Sequence, residues 1–261
     1  MREAACFLAL LLSCALLLTG CTGSQPEPET SAPKESAPAF EPEESAPEES
    51  IPEPVHWEHP SPRWVAELPQ AEKARQLFVV AVTGGSEAVA SLHEKGEDGS
   101  WGRILKAEAF IGQNGLGKTA EGDRKTPVGT FTFNRAFGIA PDPGCAIPYV
   151  QVNGNHYWSG DRREGMHYNE LVNIEELPDL DRESSEHIED YWDQYQYCLN
   201  ISYNQAGEPG KGSAIFLHCQ GENDYTLGCV AIPRPKMEKM LRLVRPDCVV
   251  VIDSAENLGA D

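Results

Sequence analysis

Two residues eleven positions apart in IFLHCQGENDYTLGCVAIP, residues 215–233, have side chains suited to nucleophilic catalysis: His218 and Cys229. A thiol attacks as its thiolate, and an adjacent imidazolium lowers the pKa of a free cysteine from about 8.5, making the thiolate available at neutral pH. The same imidazole can take the thiol proton and return it to a leaving group. Gly228, just before the cysteine, lets the backbone come close to a substrate, and its amide together with that of Cys229 can face a developing oxyanion. The Thr226 hydroxyl can order the turn, though threonine is equally a plain turn residue. By type and spacing alone, the histidine and cysteine also fit two ordinary structural positions.

For the two side chains to meet, they must lie on one face of neighbouring strands. GSAIFLHC (212–219) reads as a strand that delivers His218 at its end; the chain then turns, and Cys229 opens a returning strand over VAI (230–232). An antiparallel pairing is expected, about 5 Å between neighbours. Cys219 then points to the opposite face, which suits a structural or disulfide role. The other strands read as LFVVAV (77–82), a hairpin of 88–96 and 101–112, GTFTFNRAFG (129–138), YCLNISYN (197–204) and CVVVID (248–253). His93 falls on the hairpin as an exposed histidine. Residues 150–169 read as loops over the sheet, and 177–195 as the only helix-compatible stretch in the middle of the chain. Pro235 begins a helix whose Met237, Met240, Leu241 and Val244 recur at helical spacing, and Pro246 ends it. Many short strands with one clear helix give a mostly β domain, sandwich or barrel-like. The glycine-rich run 113–129 is not followed by a helical pattern, so nucleotide binding is rejected. Its Glu121 and Asp123, flanked by Lys118, Arg124 and Lys125, read as a solvated ion network, and His167 and His187 as incidental exposed histidines.

TLGC (226–229), with GSAIFLH (212–218) before it, resembles the catalytic domain of L,D-transpeptidases of the YkuD type, in which a histidine ends one strand and [Ser/Thr]-x-Gly-Cys carries the nucleophile. GQNGLGKTAEGDRKTPVGTFTF (112–133), WSGD (158–161), YN (168–169), YQYCLNISYN (195–204) and the final VVVID match in order, so the resemblance spans about residues 77–253. It implies a β-sandwich with a few helices, one of them after the catalytic cysteine. It also implies acyl transfer on bacterial wall peptides without cofactor or metal. Cys229 would attack the carbonyl joining the L-centred diamino acid to D-Ala in a stem tetrapeptide, D-Ala would leave, and a thioester would remain. The side-chain amine of a second stem would displace it, giving a 3→3 cross-link. His218 would be the general base and acid, Gly228 and Cys229 amides would hold the oxyanion, and Asn169 and Asp161 would line the cleft. The chain departs from the family in three ways: Leu227 stands where most members carry histidine, the interval from His218 to the cysteine is short, and no arginine closely follows Cys229. The same site would serve an L,D-carboxypeptidase if water captured the thioester. Loss of chemistry would leave a wall-binding lipoprotein.

The start of the chain bears on where this chemistry happens. Residues 1–20 read as a secretory signal whose end, Leu18-Thr19-Gly20-Cys21, resembles a lipobox, so Cys21 is expected to carry lipid. Residues 21–62 form an acidic Pro/Glu-rich tether, with ten prolines and ten glutamates against one lysine over 22–62. Residues 63–261 form one domain with a charge of −11 and no basic run, which excludes nucleic acid as a partner. A monomer facing the wall from the outer face of the cell membrane follows as the expectation. Five cysteines remain in the domain, Cys145, Cys198, Cys219, Cys229 and Cys248, an odd number that could pair four and leave one thiol free, any chosen four allowing three connectivities. No CxxC pair occurs, so a structural zinc site is not expected.

Overall fold

The structure, a computed structural model, describes residues 57–260. The signal segment, Cys21 and the tether up to residue 56 lie outside the described residues. In chain order the elements are β1 (His59–Pro60), α1 (Arg63–Glu67), β2 (Gln76–Gly84), β3 (Glu87–Lys95), β4 (Trp101–Phe110), β5 (Gly129–Gly138), β6 (Tyr149–Gln151) and β7 (His156–Trp158). They continue with β8 (Leu171–Asn173), β9 (Glu186–His187), β10 (Cys198–Ile201), β11 (Phe216–Cys219), β12 (Val230–Ile232), α2 (Arg234–Leu243), β13 (Val249–Ser254) and α3 (Ala255–Leu258).

The main sheet runs β4-β12-β11-β10-β5-β13-β2-β3, and β3 pairs with β4, so the sheet closes on itself; β1 and β6 attach to β4 and β5. Closure leaves no edge along this path to be capped. The continuous apolar run of β2 follows from burial on both faces. Phe78, Val80 and Val82 point into the main core with Leu105, Leu217 and the Met237, Met240 and Leu241 face of α2. Leu77, Val79 and Ala81 pack outward against α1 and α3 through Val65, Leu68, Ala255 and Leu258. A third cluster lies on the outer face of β5, β10 and β11, where Phe137, Trp158, Tyr195 and Phe216 surround Cys198 and Cys229.

Several expectations are corrected here. β11 and β12 are parallel, with Leu217 opposite Val230 and His218 opposite Ala231. The connection between them does not turn back as a hairpin. Thr226 N donates to Ile111 O and Gln113 N to Thr226 O, which ties the connection alongside the segment after β4 and returns the chain to the starting end of β11. That strand is also shorter than 212–219, because Ala214 adopts φ +54 and interrupts the extended backbone. Residues 150–169 are not bare loops: β7 is the centre of a small sheet ordered β8-β7-β9.

The stretch 177–195 holds no α-helix but β9 and two 3-10 turns, Ile188–Tyr191 and Gln194–Gln196. Its short polar side chains bond local backbone instead, Glu183 N donating to Asp181 Oδ1 and both Ser184 and Ser185 hydroxyls to Asp181 O. His93 is buried, held between the hydroxyls of Ser61 (2.7 Å) and Ser91 (2.8 Å). The folded unit also reaches back before Arg63: Glu58 N donates to Arg103 O, β1 pairs β4, and the Trp57 ring fills the space a side chain at Gly102 would need. All five cysteines among the described residues are free. No helix among them is long and apolar enough to cross a membrane.

Candidate active site

Cys229 is delivered by a loop that two threonines lock. Thr226 Oγ1 donates to Cys229 O (2.7 Å) and accepts from Gly228 N (3.1 Å), while Thr126 Oγ1 donates to Gly228 O (2.8 Å) and accepts from Gly112 N (2.8 Å). Gly228 has φ +141, and a Cβ there would lie 3.0 Å from Lys125 O and 3.1 Å from Ile215 Cδ1, so the position takes no side chain without strain. Its close approach is therefore to the 112–126 segment and Ile215. The Gly228 amide, expected to face an oxyanion, is spent on the Thr226 hydroxyl, because that hydroxyl is what closes the turn.

The thiol itself is held by protein groups on both sides. Sγ donates to Ala214 O (3.1 Å) and accepts from Phe216 N (3.3 Å). His218 Nδ1–H donates to Cys219 O (2.8 Å). That oxygen can only accept, so the neutral ring carries its proton on Nδ1 and presents Nε2 as the base. The Tyr195 ring packs against the imidazole in a T, at 5.5 Å between centroids. The parallel register sets Cys229 beside Phe216 and one pleat from His218 on the same face, and both side chains line one cavity of about 640 Å³. No hydrogen bond joins Sγ to the ring among the described residues.

The electrostatics correct the expected thiolate–imidazolium pair. Burial pushes the Cys229 thiol up to about 12; the Glu186 carboxylate adds to this, while the Phe216 N–H and Lys118 oppose it. Burial likewise lowers His218 to about 4, against its hydrogen bond to Cys219. Both groups are neutral at rest, because burial of each side chain penalises its charge more than its hydrogen bonds and neighbouring charges stabilise it.

The charged loop beside the thiol is not a solvated network. The Lys118 side chain is 2% exposed, and Nζ donates to Asp123 Oδ1 (3.0 Å) and Ala120 O (3.2 Å). Burial works against the Asp123 charge, yet the amides of Thr119, Lys125 and Ala120 together with Lys118 bring it down to about 2. Arg124 is engaged with Gln113 instead, and Glu121 accepts from Tyr168 and Ser213. Residues 112–119, GQNGLGKT, do carry the letter spacing of a phosphate loop. No helix follows them, and the lysine is consumed by Asp123, so nothing is left to cradle a phosphate.

Asn169 does not line the thiol cavity. Its Oδ1 accepts from Trp158 Nε1 (2.9 Å) and Ala214 N (3.0 Å), and its Nδ2 donates to Tyr203 O (3.1 Å) and Asn204 O (3.0 Å). All its hydrogen-bonding capacity is used within the protein, and through Ala214 it fixes the carbonyl that holds Sγ. Asp161 lines a neighbouring cavity of about 520 Å³, where Arg163 and the amide of Asp181 hold its carboxylate well below the usual range. Leu227 is 65% exposed on the rim of the thiol cavity with Tyr225 and Tyr191. His167 pairs with Glu170, and His187 pairs with Asp190 and packs on Tyr157; neither lines the thiol cavity. No group of three His, Cys, Asp or Glu side chains suited to a metal occurs among the described residues.

The sequence reading did not single out Ala214, Tyr195 or Glu186, and it placed Lys118 only in a solvated ion network. Tyr195 lies in a stretch already quoted for its resemblance, and Lys118 in another. Glu186 carried no signal, being one of seven acidic residues between 177 and 195. Residues 85–252 match the family model YkuD, described as the L,D-transpeptidase catalytic domain. The search of curated proteins returned no match.

Proposed function

The chain belongs to the YkuD family of L,D-transpeptidase catalytic domains, and from that premise we propose that it forms 3→3 cross-links between peptidoglycan stem peptides through a thioester on Cys229. The observation that carries this reading is that Cys229 and His218 share one face of parallel strands and line one cavity. As Sγ attacks the carbonyl before D-Ala, His218 Nε2 takes the thiol proton, and the ring then returns it to the departing D-Ala amine. With the Gly228 amide spent on Thr226, this reading assigns the oxyanion to the Cys229 amide. A neutral pair suits the order of events, since the proton passes from Sγ to Nε2 as the carbonyl is attacked. Residues 1–62 support a lipid anchor at Cys21 and a domain facing the wall from the outer face of the membrane.

Mass spectrometry of tetrapeptide muropeptides incubated with the full chain tests the proposal. A cross-linked dimer is expected. A tripeptide monomer alone would make the chain an L,D-carboxypeptidase, and no change would remove both readings. Cys229→Ala is expected to abolish turnover with the fold intact, and retained turnover would end the assignment of the nucleophile.

A further inference from the structure

One carboxylate stands where it works against the first half of such a reaction. Glu186, on β9 of the small sheet, lines the thiol cavity and also the neighbouring cavity of about 520 Å³. The Tyr195 hydroxyl donates to its Oε2 (2.9 Å), and the same Tyr195 ring packs in a T against His218. Among the described residues no cation pairs with Glu186, and Oε1 takes no protein hydrogen bond. Its negative charge raises the Cys229 thiol and so hinders formation of the attacking thiolate. In the acylated enzyme that objection disappears, because the sulfur is then an uncharged thioester. What must approach at that stage is a primary amine, which is an ammonium ion at neutral pH. The position thus fits the second half of the reaction and not the first.

We propose that Glu186 receives the acceptor amine: its carboxylate binds the incoming ammonium at the junction of the two cavities and takes the proton that the amine must lose before it attacks. The inference rests on the transferase reading above. The ammonium gives one proton to Glu186, and the nitrogen lone pair forms the C–N bond at the thioester carbonyl. The C–S bond breaks with its electron pair on sulfur, and the second amine proton passes through His218 Nε2 to Sγ. Glu186 then releases its proton to water, so acyl-thioester and ammonium become amide, thiol and one proton. Burial pushes Glu186 up to about 7; the Tyr195 hydrogen bond opposes this and the Glu121 charge adds to it, leaving a carboxyl that can both take and release a proton near neutrality.

The test compares two small acceptors with the full chain and a tetrapeptide donor: Nα-acetyl-lysine, whose amine is an ammonium at pH 7, and hydroxylamine, whose amine is neutral at pH 7. In Glu186→Gln, whose carbonyl still accepts from Tyr195, the ratio of transfer rates to Nα-acetyl-lysine and to hydroxylamine is expected to fall about 100-fold. Glu186→Asp should recover part of that ratio. An unchanged ratio, or equal losses with both acceptors, would overturn the assignment, because a structural role does not discriminate the charge of the acceptor. A parent enzyme that releases D-Ala but passes the acyl group only to water would also overturn it while leaving the Cys229 thioester standing. A parent that releases no D-Ala would remove the transferase reading itself, and this proposal with it.

Discussion

Alkylation of Cys229 by iodoacetamide decides whether the resting nucleophile is a thiol or a thiolate. A free cysteine with pKa ~8.5 is about one quarter ionised at pH 8. A thiol pushed up to about 12 is ionised to roughly one part in 10⁴ at that pH. The population of reactive anion is therefore about 2,000-fold smaller. The higher basicity of the anion returns roughly 40-fold of that through its greater nucleophilicity. Cys229 in the folded chain should thus react about 50-fold more slowly than a free cysteine at pH 8, with a rate that still climbs about tenfold per pH unit at pH 10. The assay is peptide-resolved mass spectrometry over time, with the urea-unfolded chain as the reference for each cysteine. His218→Gln should leave this profile nearly unmoved, since the neutral ring makes no hydrogen bond to Sγ. A rate matching free cysteine, a plateau below pH 8, or a midpoint displaced by His218→Gln would refute the argument and restore a thiolate–imidazolium pair.

Three further outcomes follow from the same geometry. His218→Ala should lower D-Ala release from a tetrapeptide by about 10²–10⁴-fold at constant fold, measured by single-turnover kinetics; a loss under tenfold would remove Nε2 as the base. Asn169→Ala orphans the buried Trp158 Nε1 and Ala214 N donors and should cost roughly 2–5 kcal/mol in urea denaturation. Asn169→Asp should do no better, as it turns a carboxylate toward the Tyr203 and Asn204 carbonyls; a cost below about 1 kcal/mol in either variant would contradict this. For His93, burial and then Arg103 lower the folded pKa to about 4, so the unfolded chain takes up the proton first as pH falls. Its stabilisation is complete above the unfolded pKa of ~6.5 and is lost between there and about 4, on the order of 3 kcal/mol. Glu186, raised to about 7, works in the opposite sense, losing its contribution as pH rises through that value. The informative quantity is therefore the difference between parent and His93→Gln, which should shrink by about 3 kcal/mol from pH 7 to pH 4. A constant difference would show that His93 titrates alike in both states.

How far the site was legible depended on whether a signal was local. Strand periodicity, the proline-bounded helix α2 and the two-sided run of β2 follow from residue types within a few positions, and all appear in the structure. Asn169 was noticed for its place in a motif, but its role depends on four partners from three distant segments, which no spacing reveals. The helix-compatible stretch 177–195 forms β9 and two 3-10 turns instead, with β9 paired to β7, a tertiary contact that composition leaves open.

From the sequence alone came the mostly β class, the candidate histidine and cysteine, the resemblance over most of the domain, and its acidic balance. Tertiary structure alone decided that the two strands run parallel, that the Gly228 amide closes the turn, and that Lys118 and His93 are buried. It also buried both members of the pair and placed Glu186 in the cavity they line. The division has one physical cause. Residue type sets which groups can ionise and which faces alternate, whereas the free energy of a charge depends on which distant chains exclude water from it.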